Sequence, residues 1–212
     1  MSSLVYWNNG TLYVNPTSRC SNDCLFCILG FNDGVYGFDL RLDKDPTPTE
    51  LTAALKHVDL SQYNEAAIVG FGEPLLNLDG TLASAEYLSS HELRVRINTN
   101  GHARLFYPDC NVAKELSESG VSEIQISLNA PDAQTYVKLC RPSHGAEAFL
   151  SLLDFAEDCN KYMKVIFSVV RIPGIDINAC RELAREFDIE LRVRDFKGSF
   201  ELMQEIAAIL DE

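Results

Sequence analysis

The chain has 212 residues, 46% of them hydrophobic and 23% charged, the composition of one globular domain with a sizeable core. With 18 Lys and Arg against 31 Asp and Glu the formal net charge is -13, so no bulk nucleic-acid binding and no anionic membrane surface is expected. There is no apolar run near the roughly 18 residues of a membrane span, no secretory signal pattern, and no even cysteine spacing of a disulfide framework, so a cytoplasmic protein is expected.

In chain order, strand-like segments at 12–15, 66–70, 95–99, 123–128, 164–170 and 190–194 alternate with helix-like ones. The segment 32–46, with Gly34, Gly37 and Pro46, reads as a long loop or lid, or else a disordered insert. Thr47-Pro48-Thr49-Glu50 is a capping box with Pro at the first helical position, and Leu51, Ala54, Leu55 and Val58 form the stripe of the helix it starts. Gly120 suits the C-terminal cap of a helix over 112–119. Further stripes are Phe149, Leu152, Leu153 and Ala156, then Cys180, Leu183, Ala184 and Phe187, and last Met203, Ile206, Ala207 and Leu210. Alternation of this kind predicts an α/β fold, a partial (βα)6 TIM-like barrel of parallel strands rather than a doubly wound sheet. The expected organisation is a single domain over 1–212, with its core at about 12–196 and a C-terminal helix at about 199–212.

Strand phase predicts a polar interior. Val95, Ile97 and Thr99 oppose Arg96, Asn98 and Asn100, while Ile124, Ile126 and Leu128 oppose Gln125, Ser127 and Asn129. Leu12 and Val14 oppose Tyr13 and Asn15, and Leu191 and Val193 oppose Arg192 and Arg194. A closed barrel fills its interior with branched apolar side chains, so this one should enclose a cavity for a polar ligand; an open sheet with a solvated face is the alternative. Arg96, Arg192 and Arg194 share the inward phase, and an isolated buried charge is prohibitive. Either Glu123 and Glu190 pair with them, or they bind a small anionic substrate.

Directly after the first strand come Cys20, Cys24 and Cys27, spaced C-x3-C-x2-C, on the side where parallel βα folds carry their ligand loops. A structural zinc site needs four ligands, and the next candidates, His57 and Cys110, are remote. A redox C-x-x-C leaves Cys20 unexplained. An iron–sulfur cluster on three thiolates leaves one iron open.

With Phe26 before Cys27, the motif resembles the signature of the radical S-adenosylmethionine (SAM) superfamily. The resemblance implies a [4Fe-4S] cluster on Cys20, Cys24 and Cys27, with SAM on the fourth iron and a partial barrel around both. Gly70-Phe71-Gly72-Glu73-Pro74 resembles the family's Gly-Gly-Glu-Pro, which implies SAM amino-group contacts for Gly72 and Glu73. Asn98-Thr99-Asn100-Gly101 resembles a stretch of glycyl-radical activating enzymes. Ser127-Leu128-Asn129 resembles the SAM ribose position, and Val170-Arg171-Ile172-Pro173-Gly174 the segment by the adenine, which implies a contact for Ile172. Arg141 is a candidate for the SAM carboxylate, and Cys140 and His102 are weak catalytic candidates; Cys110 also falls on the cluster side. The runs Tyr36–Leu42 and Leu139–Pro142 make the chain most similar to the small radical SAM proteins associated with TatD-type hydrolases. The activity implied is reductive SAM cleavage to a 5′-deoxyadenosyl radical that abstracts hydrogen from a small anionic substrate, fed by an external donor of the flavodoxin or ferredoxin type. The alternative within the family is an activating enzyme that installs a radical on, or modifies, a partner protein; outside it, a zinc-binding structural protein.

Overall fold

The computed structural model describes residues 3–32 and 34–211. In chain order the strands are β1 (Val5–Asn8), β2 (Thr11–Val14), β3 (Gly34–Val35), β4 (Phe38–Asp39), β5 (Glu65–Ile68), β6 (Arg94–Thr99), β7 (Val121–Ser127), β8 (Lys164–Arg171) and β9 (Glu190–Asp195). The helices are α1 (Pro48–Lys56), α2 (Leu78–Ser90), α3 (Ala103–Phe106), α4 (Val112–Glu118), α5 (Ala133–Cys140), α6 (Glu147–Asn160), α7 (Ile177–Glu186) and α8 (Phe200–Asp211). One sheet runs β1-β2-β5-β6-β7-β8-β9, parallel from β2 onward. The expected strands are thus β2 and β5 to β9, in chain order across the sheet. Among the described residues β1 and β9 are the two edges, so the barrel is partial.

The apolar phase meets the helices. Val95, Ile97, Ile124 and Ile126 are wholly or almost wholly buried and join one core with Leu88, Leu116 and Leu152 from α2, α4 and α6. Local signals act as written: the Thr47 hydroxyl accepts from the Glu50 amide at 3.2 Å, and the Glu50 carboxylate accepts from the Thr47 amide at 2.7 Å. Gly120 follows α4 at φ 89, where a Cβ would stand 2.3 Å from Ser89.

The sequence reading misses β1, which pairs antiparallel with β2 across the Asn9-Gly10 turn, where both φ are positive. It also leaves out two short strands in 32–46, whose described part is otherwise the long loop expected. β3 and β4 form a small hairpin, and Phe38 packs on Trp7 at 4.8 Å and Tyr6 at 6.0 Å. Tyr6 stacks on Tyr13 at 4.9 Å, and with Leu40 and Phe71 these rings make a second, smaller core. The concave face is therefore apolar at its β1–β2 end and polar at its β6–β9 end. Asn15 ties the segments of this smaller core together: its side-chain amide donates to Leu40 O at 2.8 Å, and its oxygen accepts from the Phe71 amide at 2.7 Å. Among the described residues no helix is long and apolar enough to cross a membrane.

Candidate active site

The carboxyl ends of the parallel strands open on a cavity of about 310 Å³. Its wall includes Cys20, Cys24 and Cys27 from the loop after β2, Gly72 and Glu73 after β5, Asn98 and Thr99 on β6, Asn129 after β7, and Arg194 on β9. The cysteine loop is held from both sides by backbone. The Gly72 amide donates to Thr17 O at 3.0 Å and the Glu73 amide to Arg19 O at 2.8 Å. A Cβ on Gly72 would stand 2.0 Å from Arg19 O, so only glycine permits this approach. Opposite, the Asp23 amide donates to Cys140 O at 3.1 Å and the Leu25 amide to Leu139 O at 3.0 Å. Burial, then the nearby Glu73 carboxylate, pushes the Cys20 thiol up to about 12; burial raises Cys27 as well. The Cys140 thiol beside it, then burial, raises Cys24. Metal binding by these thiols therefore releases protons.

Glu73 is buried, 2% exposed. Its Oε1 accepts from the Leu75 amide at 3.0 Å and the Thr99 hydroxyl at 2.7 Å, and its Oε2 from the Asn100 amide at 2.6 Å. Burial raises its pKa to about 7, against the pull of those three bonds. Oε2 keeps a lone pair for a ligand. Asn129, at φ 55, donates to Cys140 Sγ at 3.7 Å, and its Oδ1 is buried without a partner. Arg194 Nε is equally without one.

Of the expected site residues, Cys20, Cys24, Cys27, Gly72, Glu73, Asn98, Ser127, Asn129 and Arg194 line this cavity together. The others do not. Ile172 is 2% exposed and packs in the main core, while Val170 reaches the cavity wall in its stead. Arg141 is the left-handed C-cap of α5 with an exposed side chain. Cys140 is the last residue of that helix, not a loop residue, and lies wholly buried behind Cys24 and Asn129. His102 is wholly buried too; its Nε2 shares a hydrogen bond with the Tyr136 hydroxyl at 2.9 Å, and burial lowers its pKa to about 4. Cys110 is exposed on a separate surface recess with Arg104 and Phe155. The three arginines part company. Arg96 is neutralised by Glu65 at 3.2 Å and Glu123 at 3.9 Å and hydrogen-bonds Asn98. Arg192 is exposed and donates to Gln125 Oε1 at 2.9 Å. Glu190 pairs with Lys164 at 3.8 Å rather than with an arginine. Among the described residues Arg194 has no carboxylate partner. Asn22, Phe31 and Lys197 also line the cavity; Asn22 was open to discovery as a polar residue inside the cysteine motif, whereas nothing local marks Phe31 or Lys197.

A strand-ordered sheet with a three-cysteine loop at a cavity beyond the strands' carboxyl ends is the arrangement of an α/β ligand-binding scaffold. The model of the Radical SAM superfamily matches residues 14–187, and the chain belongs to that superfamily. The Uncharacterized protein MJ0804 of Methanocaldococcus jannaschii is 29% identical over 178 residues, 82% of this chain and 52% of that protein. A probable dual-specificity RNA methyltransferase RlmN of Prochlorococcus marinus is 25% identical over 175 residues, 78% of this chain and 46% of that one. The chain thus spans about half the length of these curated relatives. SuiB of Streptococcus suis, in its structure bound to S-adenosylmethionine, superposes with a TM-score of 0.68 at 16% identity, over 92% of this chain and 42% of that one; this likeness is one of fold.

The superfamily is one of enzymes that use a [4Fe-4S] cluster and SAM and take their electron from an external donor. The residues present fit that pair. Three thiols share one cavity wall, and buried Asn129 Oδ1 and Arg194 Nε await partners at the same wall.

Proposed function

We propose that the chain is a radical SAM enzyme in which Cys20, Cys24 and Cys27 hold the cluster, Gly72, Glu73, Asn98, Ser127 and Asn129 hold SAM, and a small anionic substrate is bound beside Arg194. The observation that carries this reading is the meeting of the three thiols with Glu73, Asn129 and Arg194 around one cavity. When bound, the cluster and SAM supply one-electron reductive cleavage of the sulfonium and, through it, hydrogen-atom abstraction from carbon. The chain's own residues bind and orient. Glu73, fixed by Thr99, Leu75 and Asn100, offers its remaining lone pair to an ammonium. Asn129 offers Oδ1 to a hydroxyl or N–H donor. Phe26, Ile28 and Phe31 give the cavity wall apolar surface. Arg194 supports the anionic substrate: it is half-buried, has the Cys24 sulfur and like-charged Arg192 as neighbours, and among the described residues meets no carboxylate, so an anion in the cavity would relieve its desolvation. An external low-potential donor of the flavodoxin or ferredoxin type completes the reading.

Anaerobic reconstitution tests it. The protein should take up about four irons per chain, and Cys24→Ala should take up none. Glu73→Ala should weaken SAM binding by about 10- to 100-fold in equilibrium dialysis, the worth of one charge-assisted hydrogen bond. Inorganic phosphate or small carboxylates should inhibit SAM cleavage by the wild type, and Arg194→Gln should abolish that inhibition while leaving SAM affinity intact. Zinc uptake without iron overturns the cluster, and wild-type SAM affinity in Glu73→Ala overturns its assigned contact. Loss of SAM binding in Arg194→Gln transfers that arginine from substrate to SAM.

A further inference from the structure

Two residues between the first and second cysteine are caught in a closed ring of hydrogen bonds. The Asn22 side-chain amide donates to the Tyr136 hydroxyl at 3.1 Å. That hydroxyl lies 2.9 Å from His102 Nε2, and His102 Nδ1 lies 3.3 Å from Ser21 Oγ, which closes the ring through the Ser21–Asn22 peptide. Asn100, itself bonded to Glu73, donates a further bond to Ser21 Oγ at 2.9 Å. Proton accounting orients the ring. The phenol accepts from Asn22, so its one proton goes to His102 Nε2. Neutral His102 then carries its proton on Nδ1 and donates to Ser21. Ser21 Oγ accepts twice, and its own proton is left free.

The ring is not needed merely to fasten the loop. Backbone bonds to Leu139 and Cys140 already do that, and the Ser143 amide donates to Ser21 O at 2.9 Å. A phenylalanine at 136 would be cheaper to bury than a phenol that must find partners. What the ring adds is a fixed pose for Ser21 and Asn22. The Asn22 backbone N–H meets Cys20 Sγ at 3.4 Å, and Ser21, held by His102 and Asn100, fixes the peptide that carries it.

We infer that Tyr136 and His102 are positioning residues for the iron–sulfur cluster: through Ser21 and Asn22 they hold the Asn22 backbone N–H on the Cys20 sulfur and so set the cluster's reduction potential. This rests on the cluster assignment above. Hydrogen bonds to ligating sulfur favour the more negative, reduced cluster and raise its potential. Relaxing the ring therefore lowers the potential without removing a ligand.

The test uses anaerobically reconstituted wild type, Tyr136→Phe, Ser21→Ala and Ser21→Thr, read by iron content, EPR and redox titration. Wild type without iron overturns the cluster assignment itself. With wild type loaded, Tyr136→Phe and Ser21→Ala should both keep about four irons per chain, shift the midpoint potential to more negative values and alter the EPR g-values, and Ser21→Thr should restore both. Ser21 lies in the loop and not in the core, so Ser21→Ala decides the matter if Tyr136→Phe fails to fold. A wild-type potential and g-tensor in loaded Ser21→Ala overturns the inference.

Discussion

Glu73 and His102 are both buried, are linked through Asn100, and bear opposite relations to pH. The folded state raises Glu73 from 4.5 to about 7, so it binds more protons than the unfolded chain in that window, and stability falls as pH rises through it. It lowers His102 from 6.5 to about 4, so the unfolded chain binds more protons there, and stability rises with pH. Each effect is worth about 3 kcal/mol across its window, and between about pH 4.5 and 6.5 the two offset each other. Wild-type denaturation midpoints should owe almost no slope to this pair. His102→Gln should uncover the Glu73 slope, with stability falling steadily from pH 4.5 to 7. A flat variant profile over that range would show that Glu73 is ionised throughout.

At the scale of elements, the site depends on two close approaches that no single strand dictates. Gly72 brings the end of β5 against the cysteine loop, where a methyl would collide with Arg19 O. Gly72→Ala should push that loop outward at an overpacking cost of about 1–3 kcal/mol. The protein should fold, by circular dichroism, yet load iron poorly. Full loading would mean that the loop tolerates the shift. Asn15 bridges the loop after β2 to Phe71 and Leu40. Asn15→Ala strands the buried Phe71 N–H, at about 1–3 kcal/mol, and leaves Leu40 O only its bond from the Ser18 hydroxyl, so its melting temperature should fall by several degrees.

At the scale of the molecule, charge and hydrophobicity are divided unevenly. A chain of net charge -13 keeps an uncompensated guanidinium at its cavity, with Lys197 on the same wall. The rest of its surface repels polyanions. Generic RNA should not be retarded in a gel at low ionic strength; retardation would reveal a basic track that net charge conceals. The concave face of the sheet is likewise split, with tyrosines and phenylalanines filling its β1–β2 end and polar side chains lining the other.

The alternation of Val95, Ile97 and Thr99 with Arg96 and Asn98, and of Ile124 and Ile126 with Gln125 and Ser127, is a local property of the chain, and by itself it determined the parallel strands, their inward phase and the α/β class, though not β1, β3 or β4. The cysteine spacing is local too, as is the capping box at Thr47. What covers the inward face is not local. Tyr6, Tyr13, Phe38 and Phe71 come from four separate segments, and only their meeting decided that a hairpin fills one end of the face. The same holds for Arg96, which reads like Arg194 by phase but meets Glu65 and Glu123 from neighbouring strands, and for His102, which reads as a loop residue but is sealed beneath Tyr136. Periodicity states which way a side chain points; the partner that waits there, and hence whether a charge is spent on the fold or left for a ligand, is settled by packing between distant segments.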